Sequence, residues 1–389
     1  MAKKIKIFPN SRILIFSLIG FIFLTLIWSY TWFSLFNELS TNPIVRTFIL
    51  CVFIVTFVLQ LWRWTSSSFM SSHYKVVFYI YFSLGLITHL FLAALTKDLL
   101  ITLAELWINL SEQQHFLINL STIAISIVAN LWGVYTAVKG PLIKKVNVPI
   151  QNYYPELADF KIVQISDLHV GPIIKKNYVH NVVEKVNSLN PDLIAITGDL
   201  ADGKVSHLVE DLEPLMNLKS TFGIYYVSGN HEYYWNIDEW ETKVKDLGMK
   251  ILNNNGERLH LTSNHSLWIG GVPDYSAHTI GAGDFSSPNH AFSKDQKQDF
   301  LNILLAHQPK SCLEAFDAGF DLMLCGHTHA GQFFPFSQVV GWFNPYLRGL
   351  NLHKDKLWVY VNQGTGFWGP PTRLWVPSEI TCIKFIEKP

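Results

Sequence analysis

"FKIVQISDLHVG", Phe160–Gly171, decides the fold. Its first half is short, apolar and rich in isoleucine and valine, and its second half ends that run in an Asp-x-His turn closed by glycine. Runs of this kind read as strands buried on both faces. Seven more follow: "DLIAIT", "GIYYVS", "LWIGGV", "NILLA", "DLMLC", "LWVYV" and "ITCIKFI". Between the first two runs, "KKNYVHNVVEKVNSLNPD" puts Val179, Val182, Val183 and Val186 on one helical face, which makes a strand–helix–strand unit. The expected class is an α/β domain, a layered β-sheet core flanked by helices packed on a central sheet.

The residues that follow the strands carry the chemistry. "ISDLHVG" places Asp167 and His169 past the first run, "ITGDLAD" places Asp199 and Asp202 past the second, and "VSGNHEYY" places Asn230 and His231 past the third. "LLAHQP" adds His307, and "LCGHTHAGQ" adds His327 and His329. In open α/β sheets this edge is where ligands bind. Carboxylate, imidazole and amide oxygen suit divalent first-row metals, and the absence of cysteine argues against a thiolate-selecting ion. Asp167, His169, Asp199, Asn230, His307, His327 and His329 are more groups than one ion needs. Two ions sharing a carboxylate would use them all, and pairs about 3.5–4 Å apart recur in displacement at phosphorus. Gly171, Gly198, Gly229, Gly326 and Gly331 fit turns that bring backbone close to the ions.

The ordered set D-x-H, G-D-x-x-D, G-N-H-E, a lone His and G-H-T-H resembles the calcineurin-like metallophosphoesterase superfamily, over about Phe160 to Phe385. With "GHTHAGQ" and "GTGFWGPPTRLWVPSEI" the chain looks closest to the bacterial YkuE-type branch, whose members are often membrane-anchored. The resemblance implies one divalent ion on Asp167, His169, Asp199 and His329, and a second on Asp199, Asn230, His307 and His327. Asp199 would bridge them. It implies that His231 contacts the phosphate and protonates the leaving oxygen, with Asp202 orienting it. Ala330 stands where glycine is frequent in the family. Mn, Fe, Zn and Mg all remain open as the metals.

The first third is a different material. About 20 apolar residues are needed to cross the hydrocarbon core, and Ile13–Phe33, Ile44–Leu61, Val76–Leu95 and Phe116–Val138 qualify. Trp28, Trp32, Trp62, Trp64, Tyr79, Trp132 and Tyr135 lie near their ends, as interfacial aromatics do. The expected organisation is an all-α transmembrane region over 1–139, a linker over 140–157 and a metallophosphoesterase domain over 158–389. Leu99–Leu110 is apolar but short and holds Glu105, so it reads as an interfacial helix. His89 and Asn130 fall within spans, and read as groups hydrogen-bonded between helices or lying near an interface in preference to functional groups.

Orientation follows from the basic residues. Lys3, Lys4, Lys6 and Arg12 precede the first span, Arg63 and Lys75 separate the second from the third, and Lys139, Lys144 and Lys145 follow the fourth. The opposite side carries Arg46 and Lys97, offset by Glu38, Asp98, Glu105 and Glu112. The positive-inside rule puts both termini in the cytoplasm of a multi-pass cell-membrane protein.

Two further features leave alternatives open. Arg373 in "GPPTRL" either binds a substrate phosphate or fixes the Gly364–Gly366 loop. "FFPFSQVVGWFNPY", Phe333–Tyr346, either forms an apolar wall suited to a lipid-linked phosphate or the bilayer, or packs into a core. A net charge of zero gives no footprint for nucleic acid. Cys51, Cys312, Cys325 and Cys382 lack the spacing of a disulfide framework or zinc site. The function expected is an integral-membrane hydrolase of a phosphodiester or pyrophosphate, in a lipid-linked substrate such as UDP-diacylglucosamine or in a soluble one. A non-catalytic membrane sensor or scaffold is the competing class.

Overall fold

The computed structural model describes residues 11–37, 39, 42–65, 74–151, 153–281, 283–292 and 301–388. Lys3, Lys4, Lys6 and Glu38 of the orientation count lie outside the described residues, as do the side chains of Arg12, Arg63 and Trp64. The chain divides into two compact units, Met1–Leu131 and Trp132–Pro389.

The first unit is helical. α1 (Ser11–Thr31) continues into a π-helical segment, Trp32–Phe36, and is followed by α2 (Pro43–Thr65), α3 (Tyr74–Ala104) and α4 (Glu112–Lys139). All four are long and apolar enough to cross a membrane. The separate interfacial helix expected at Leu99–Leu110 does not form: α3 runs on to Ala104 and ends in a turn over residues 105–107. The reason is that Lys97 and Asp98, which look like a loop in the sequence, find partners on neighbouring helices. Lys97 Nζ donates to Ser34 O (2.9 Å) and Asn119 Oδ1 (2.7 Å) and lies 2.8 Å from Asp98 Oδ1. Asp98 Oδ2 accepts from the hydroxyls of Tyr30 and Ser34, each at 2.6 Å. Within the spans, His89 Nδ1 lies 2.8 Å from its own helix's Gly85 carbonyl. Asn130 is buried, and its side chain has no hydrogen-bond partner among the described residues, in place of the helix-to-helix bond expected.

The second unit carries two six-stranded mixed sheets where the sequence suggested one central sheet. The first holds β1 (Leu142–Ile150), β2 (Ile162–Ile165), β3 (Leu193–Thr197), β4 (Ile224–Val227), β5 (Lys250–Ile251) and β12 (Glu379–Glu387), in the order β1-β12-β2-β3-β4-β5. The second holds β6 (Asn255–His260), β7 (Ser266–Gly271), β8 (Leu301–Leu305), β9 (Leu322–Cys325), β10 (Gly349–His353) and β11 (Leu357–Val361), in the order β10-β11-β9-β8-β7-β6. Each sheet has two apolar faces, and the arrangement covers all four. Ile162, Leu193 and Tyr225 of the first sheet share a core with Ile269, Ile303 and Leu324 of the second. On the first sheet's other face lie α5 (Lys176–Ser188), α6 (Val205–Leu212) and α8 (Ile237–Asp246), whose Val179, Leu208 and Trp240 are buried. The short α7 (Asn230–Tyr234) precedes α8. Past it come α9 (Ala277–Ile280), α10 (Pro288–Ala291), α11 (Cys312–Ala318) and α12 (Phe336–Trp342), of which α10 and α11 pack Ala291, Cys312 and Ala315 on the second sheet.

The boundary also differs from the one read in the sequence. Residues 142–150 of the expected linker are β1, in parallel register with β12 from Leu142↔Glu379 to Ile150↔Glu387. The last turns of α4, from Trp132, belong to this unit as well. There Gly133 O accepts from Arg373 N (2.9 Å), and Thr136 Oγ1 donates to Arg373 O (2.6 Å). A side chain at Gly133 would collide with Thr372.

Candidate metal centre

Parallel pairing of β2 with β3 and β3 with β4 lines up the ends of three strands, and β8 and β9 do the same in the facing sheet. Asp167, Asp199, Asn230, His307 and the His327–His329 turn each follow one of these ends within a few residues. The turns are strained. Asp167, His169 and Asp199 adopt φ of 52, 50 and 50°, and His327 and His329 adopt 69 and 48°. Non-glycine residues in this region cost about 1–3 kcal/mol each and persist where the surroundings over-determine them. Glycine is needed beside them for a different reason, close approach. A Cβ at Gly326 would strike Ser166 and the Asp167 carboxylate, and one at Gly229 would strike that of Asp199.

The side chains converge in two groups, and a third, of His169, Asp199 and His231, overlaps both. Ligand atoms of Asp167, His169 and His329 lie within 4.8 Å of one another, as do those of Asp199, His307 and His327. In the first, His169 Nε2 and His329 Nε2 are 3.0 Å apart, and His329 Nε2 is 3.4 Å from Asp167 Oδ1. In the second, His307 Nε2 is 3.2 Å from both His327 Nδ1 and Asp199 Oδ2. Asp199 Oδ2 is also 3.7 Å from His169 Nε2, so it stands between the two groups. Asn230 Oδ1 is buried without a hydrogen-bond partner among the described residues.

This donor set fits divalent cations. Imidazole nitrogens face one another and a carboxylate, a lone amide oxygen is left over, and every group named is buried or nearly so. Other contacts orient the ligands. Thr197 O accepts from His307 Nδ1 (2.7 Å), which turns Nε2 toward Asp199, where a metal would take the place of its proton. His327 N donates to Asp167 (3.0 Å), tying the histidine turn to the first strand end.

Beside the groups, His231 Nδ1 lies 3.2 Å from Asp202 Oδ1, and its Nε2 points inward, 4.0 Å from Asp199 Oδ2. Trp235 Nε1 also donates to Asp202 Oδ1 (3.0 Å). Burial lowers the pKa of His231, but the charges of Asp199 and Asp202 outweigh it and lift it to about 9. Burial raises Asp202, yet its bond to His231 holds it at about 2. Asp199 is held well below the usual carboxylate range despite its burial, chiefly by His307 and His231. Burial and the nearby His231 and His307 charges keep His169 and His327 neutral, each near 3.

Arg373 does not reach the substrate side. It is fully buried, donates from Nη1 to the carbonyls of His329 (3.1 Å) and Gln363 (2.8 Å), and donates from Nη2 to His329 Nδ1 (2.9 Å) and to Gly366 O. Of the two roles left open by its sequence, the structure places it in the loop-fixing one and adds a metal-candidate histidine to its partners. Phe333 is buried, but α12 has no buried residue, so the run after it is mostly not core.

One residue of the site was missed by sequence reasoning. Glu232 is fully buried; its carboxylate accepts from Gly229 N (2.7 Å), Leu200 N (2.8 Å) and Asp199 N (3.2 Å), locking two strand-end turns together. Its signal was present: a Glu three residues after Gly229, at the start of a helix, is placed to reach back to that residue's N–H.

Residues 160–331 match the calcineurin-like phosphoesterase family. A relative from Helicobacter pylori (strain J99), described as an uncharacterized metallophosphoesterase, is 38% identical over 68% of this chain and 69% of its own length. A transmembrane protein with metallophosphoesterase domain from Danio rerio is 33% identical over 67% of this chain and 60% of its own. Among solved structures, a putative 5'-nucleotidase from Staphylococcus aureus aligns with a TM-score of 0.38 and 12% identity, over 59% of this chain and 55% of that one. That likeness is too slight to bear on function. The share and identity of the Helicobacter relative, together with the matched residues 160–331, are sufficient: this chain belongs to the calcineurin-like phosphoesterase family.

Proposed function

We propose that the protein is an integral-membrane hydrolase that cleaves a phosphodiester or pyrophosphate bond with two divalent ions. The observation that carries this reading is the placement of Asp199 between two donor groups, with the His231–Asp202 pair alongside. Asp167, His169, Asp199 and His329 would hold one ion, and Asp199, Asn230, His307 and His327 the other. Bound there, such a pair lowers the pKa of water towards about 7 and offsets charge on the entering and leaving oxygens.

The chain's own residues do the rest. His231 presents Nε2 to the leaving oxygen and gives it a proton. Asp202 accepts from Nδ1, fixes the ring and stabilises its charge. Glu232 keeps the turns bearing Asp199 and Asn230 in register. The basic residues flanking the helices support a phosphoesterase unit on the cytoplasmic side of the cell membrane. A lipid-linked phosphoester, UDP-diacylglucosamine being one candidate, is the proposed substrate class.

The test is hydrolysis of an activated diester and the matching monoester by full-length protein in detergent, after chelation and then with Mn²⁺. Diester turnover restored by metal and missing from an Asn230→Ala, His231→Ala variant supports the hydrolase. No turnover above that variant, in protein that binds two metal equivalents, would sink it.

A further inference from the structure

The aromatic run that the metal centre does not use forms a surface. α12 reads "FSQVVGW", with no charged residue and none buried. Phe334, Phe336, Trp342 and Phe343 are exposed at 52, 49, 79 and 70%, and Trp375 at 72%. A surface helix in water presents charge outward, and large apolar patches on soluble proteins mark an interaction site.

What covers this patch is indicated by what it joins. Trp375 lies 6.5 Å from Phe334, and two residues before it the backbone of Arg373 is bonded to Gly133 and Thr136 in the last turns of α4. Those turns carry exposed Trp132 and Tyr135, with Lys139 Nζ 5.6 Å from the Tyr135 ring. Tryptophan, tyrosine and lysine at the end of an apolar helix are the signature of a membrane–water interface. The patch is thus tied, through the Arg373 loop, to a helix end of interfacial character. On its other side Gln332 is bonded twice to Trp368 (2.8 Å each), whose ring is 5.8 Å from His231.

We propose that α12 and the Trp375 loop form a membrane-docking surface, seated in the headgroup region of the bilayer that the protein's own helices cross. Phe336, Trp342 and Phe343 enter the boundary between headgroups and acyl chains, as apolar faces of interfacial helices do. His231 and the metal centre then open beside the lipid surface. The surface is independent of the chemistry, so it stands even if the phosphoesterase reading fails.

The experiment uses full-length protein in nanodiscs, with exposed Cys51 changed to serine and an environment-sensitive fluorophore attached at Trp342→Cys or, separately, Val339→Cys. Lys245→Cys, on α8, is the reference. Emission at 342 and 339 is expected to be blue-shifted and quenched severalfold more than at 245 by lipid carrying a doxyl group near its headgroup. Water-like, unquenched emission at both positions would overturn the proposal. So would emission that is blue-shifted but not lipid-quenched and that depends on copies per disc, because a second protein molecule would then be the cover.

Discussion

Two clusters of polar side chains in the protein are built on opposite principles. In the helical unit, Tyr30, Ser34, Lys97, Asp98 and Asn119 pair donor with acceptor, and the charge of Lys97 lies 2.8 Å from that of Asp98. In the phosphoesterase unit, His169 faces His329 and His307 faces His327 across 3.0 and 3.2 Å, and Asn230 Oδ1 has no partner among the described residues. A closed cluster stabilises a fold, because buried polar groups that are satisfied cost little. An open one crowds acceptor atoms together where a cation fits, and strained turns hold it in place. Burial alone does not separate the two, but the balance of donors and acceptors does.

That contrast is open to attack. The largest effect is expected from Asp199→Asn, which removes the shared oxygen charge. Metal-dependent diester hydrolysis should fall at least about 10³-fold, since several kcal/mol of charge stabilisation are lost at about 1.4 kcal/mol per decade. Metal titration should show fewer than two equivalents bound. Unchanged turnover would break the contrast outright.

Next is Asp202→Asn. The negative charge of Asp202 raises the pKa of His231, so its loss lowers that pKa. The protonated, proton-donating form is then lost at lower pH. The alkaline limb of kcat should move to lower pH, and kcat at neutral pH should drop about 10²-fold. A pH profile that keeps its alkaline limb would separate His231 from proton donation.

Arg373→Met removes the donor to the carbonyls of His329, Gln363 and Gly366, and by loosening the turn that carries His329 should weaken metal binding about 10–100-fold. Its turnover should recover at saturating metal, whereas a variant that had lost substrate contact would show a raised KM at every metal level.

The smallest effect on chemistry is expected from Lys97→Met in the closed cluster. It should cost about 2–3 kcal/mol of stability, less than a fully buried pair because Asp98 is 37% exposed. Thermal unfolding in detergent measures this, and turnover per folded molecule should be unchanged.

How far the sequence carried depended on position within each sheet. The eight runs read as strands are β2, β3, β4, β7, β8, β9, β11 and β12, every one an interior strand. The four that escaped, β1, β5, β6 and β10, are the four sheet edges. An edge strand is paired on one side only, so it tolerates lysine, asparagine and proline, and "LIKKVNVPI" passes for a linker. The sandwich of two sheets was not legible either, because a strand apolar on both faces does not declare whether a helix or a second sheet covers each.

In the centre, the residue types and their order were legible because each motif is local. The backbone conformations at Asp167, His169, Asp199, His327 and His329 were not, since they are imposed by neighbours from other strands. Arg373 reaches His329 across 44 residues, a contact no spacing rule announces.

The bonds from Gly133 and Thr136 to Arg373 bear on any attempt to free the phosphoesterase unit from the rest of the chain. A fragment beginning at Gly140, where the last apolar helix stops, would leave the Arg373 peptide without both partners. The guanidinium that steadies His329 would then hang from an untethered loop. Such a fragment would keep the surface of α12 but lose the tether of this loop, and any fall in its turnover would be mistaken for the loss of the apolar helices. The place to cut is before Trp132, with two greasy turns carried along.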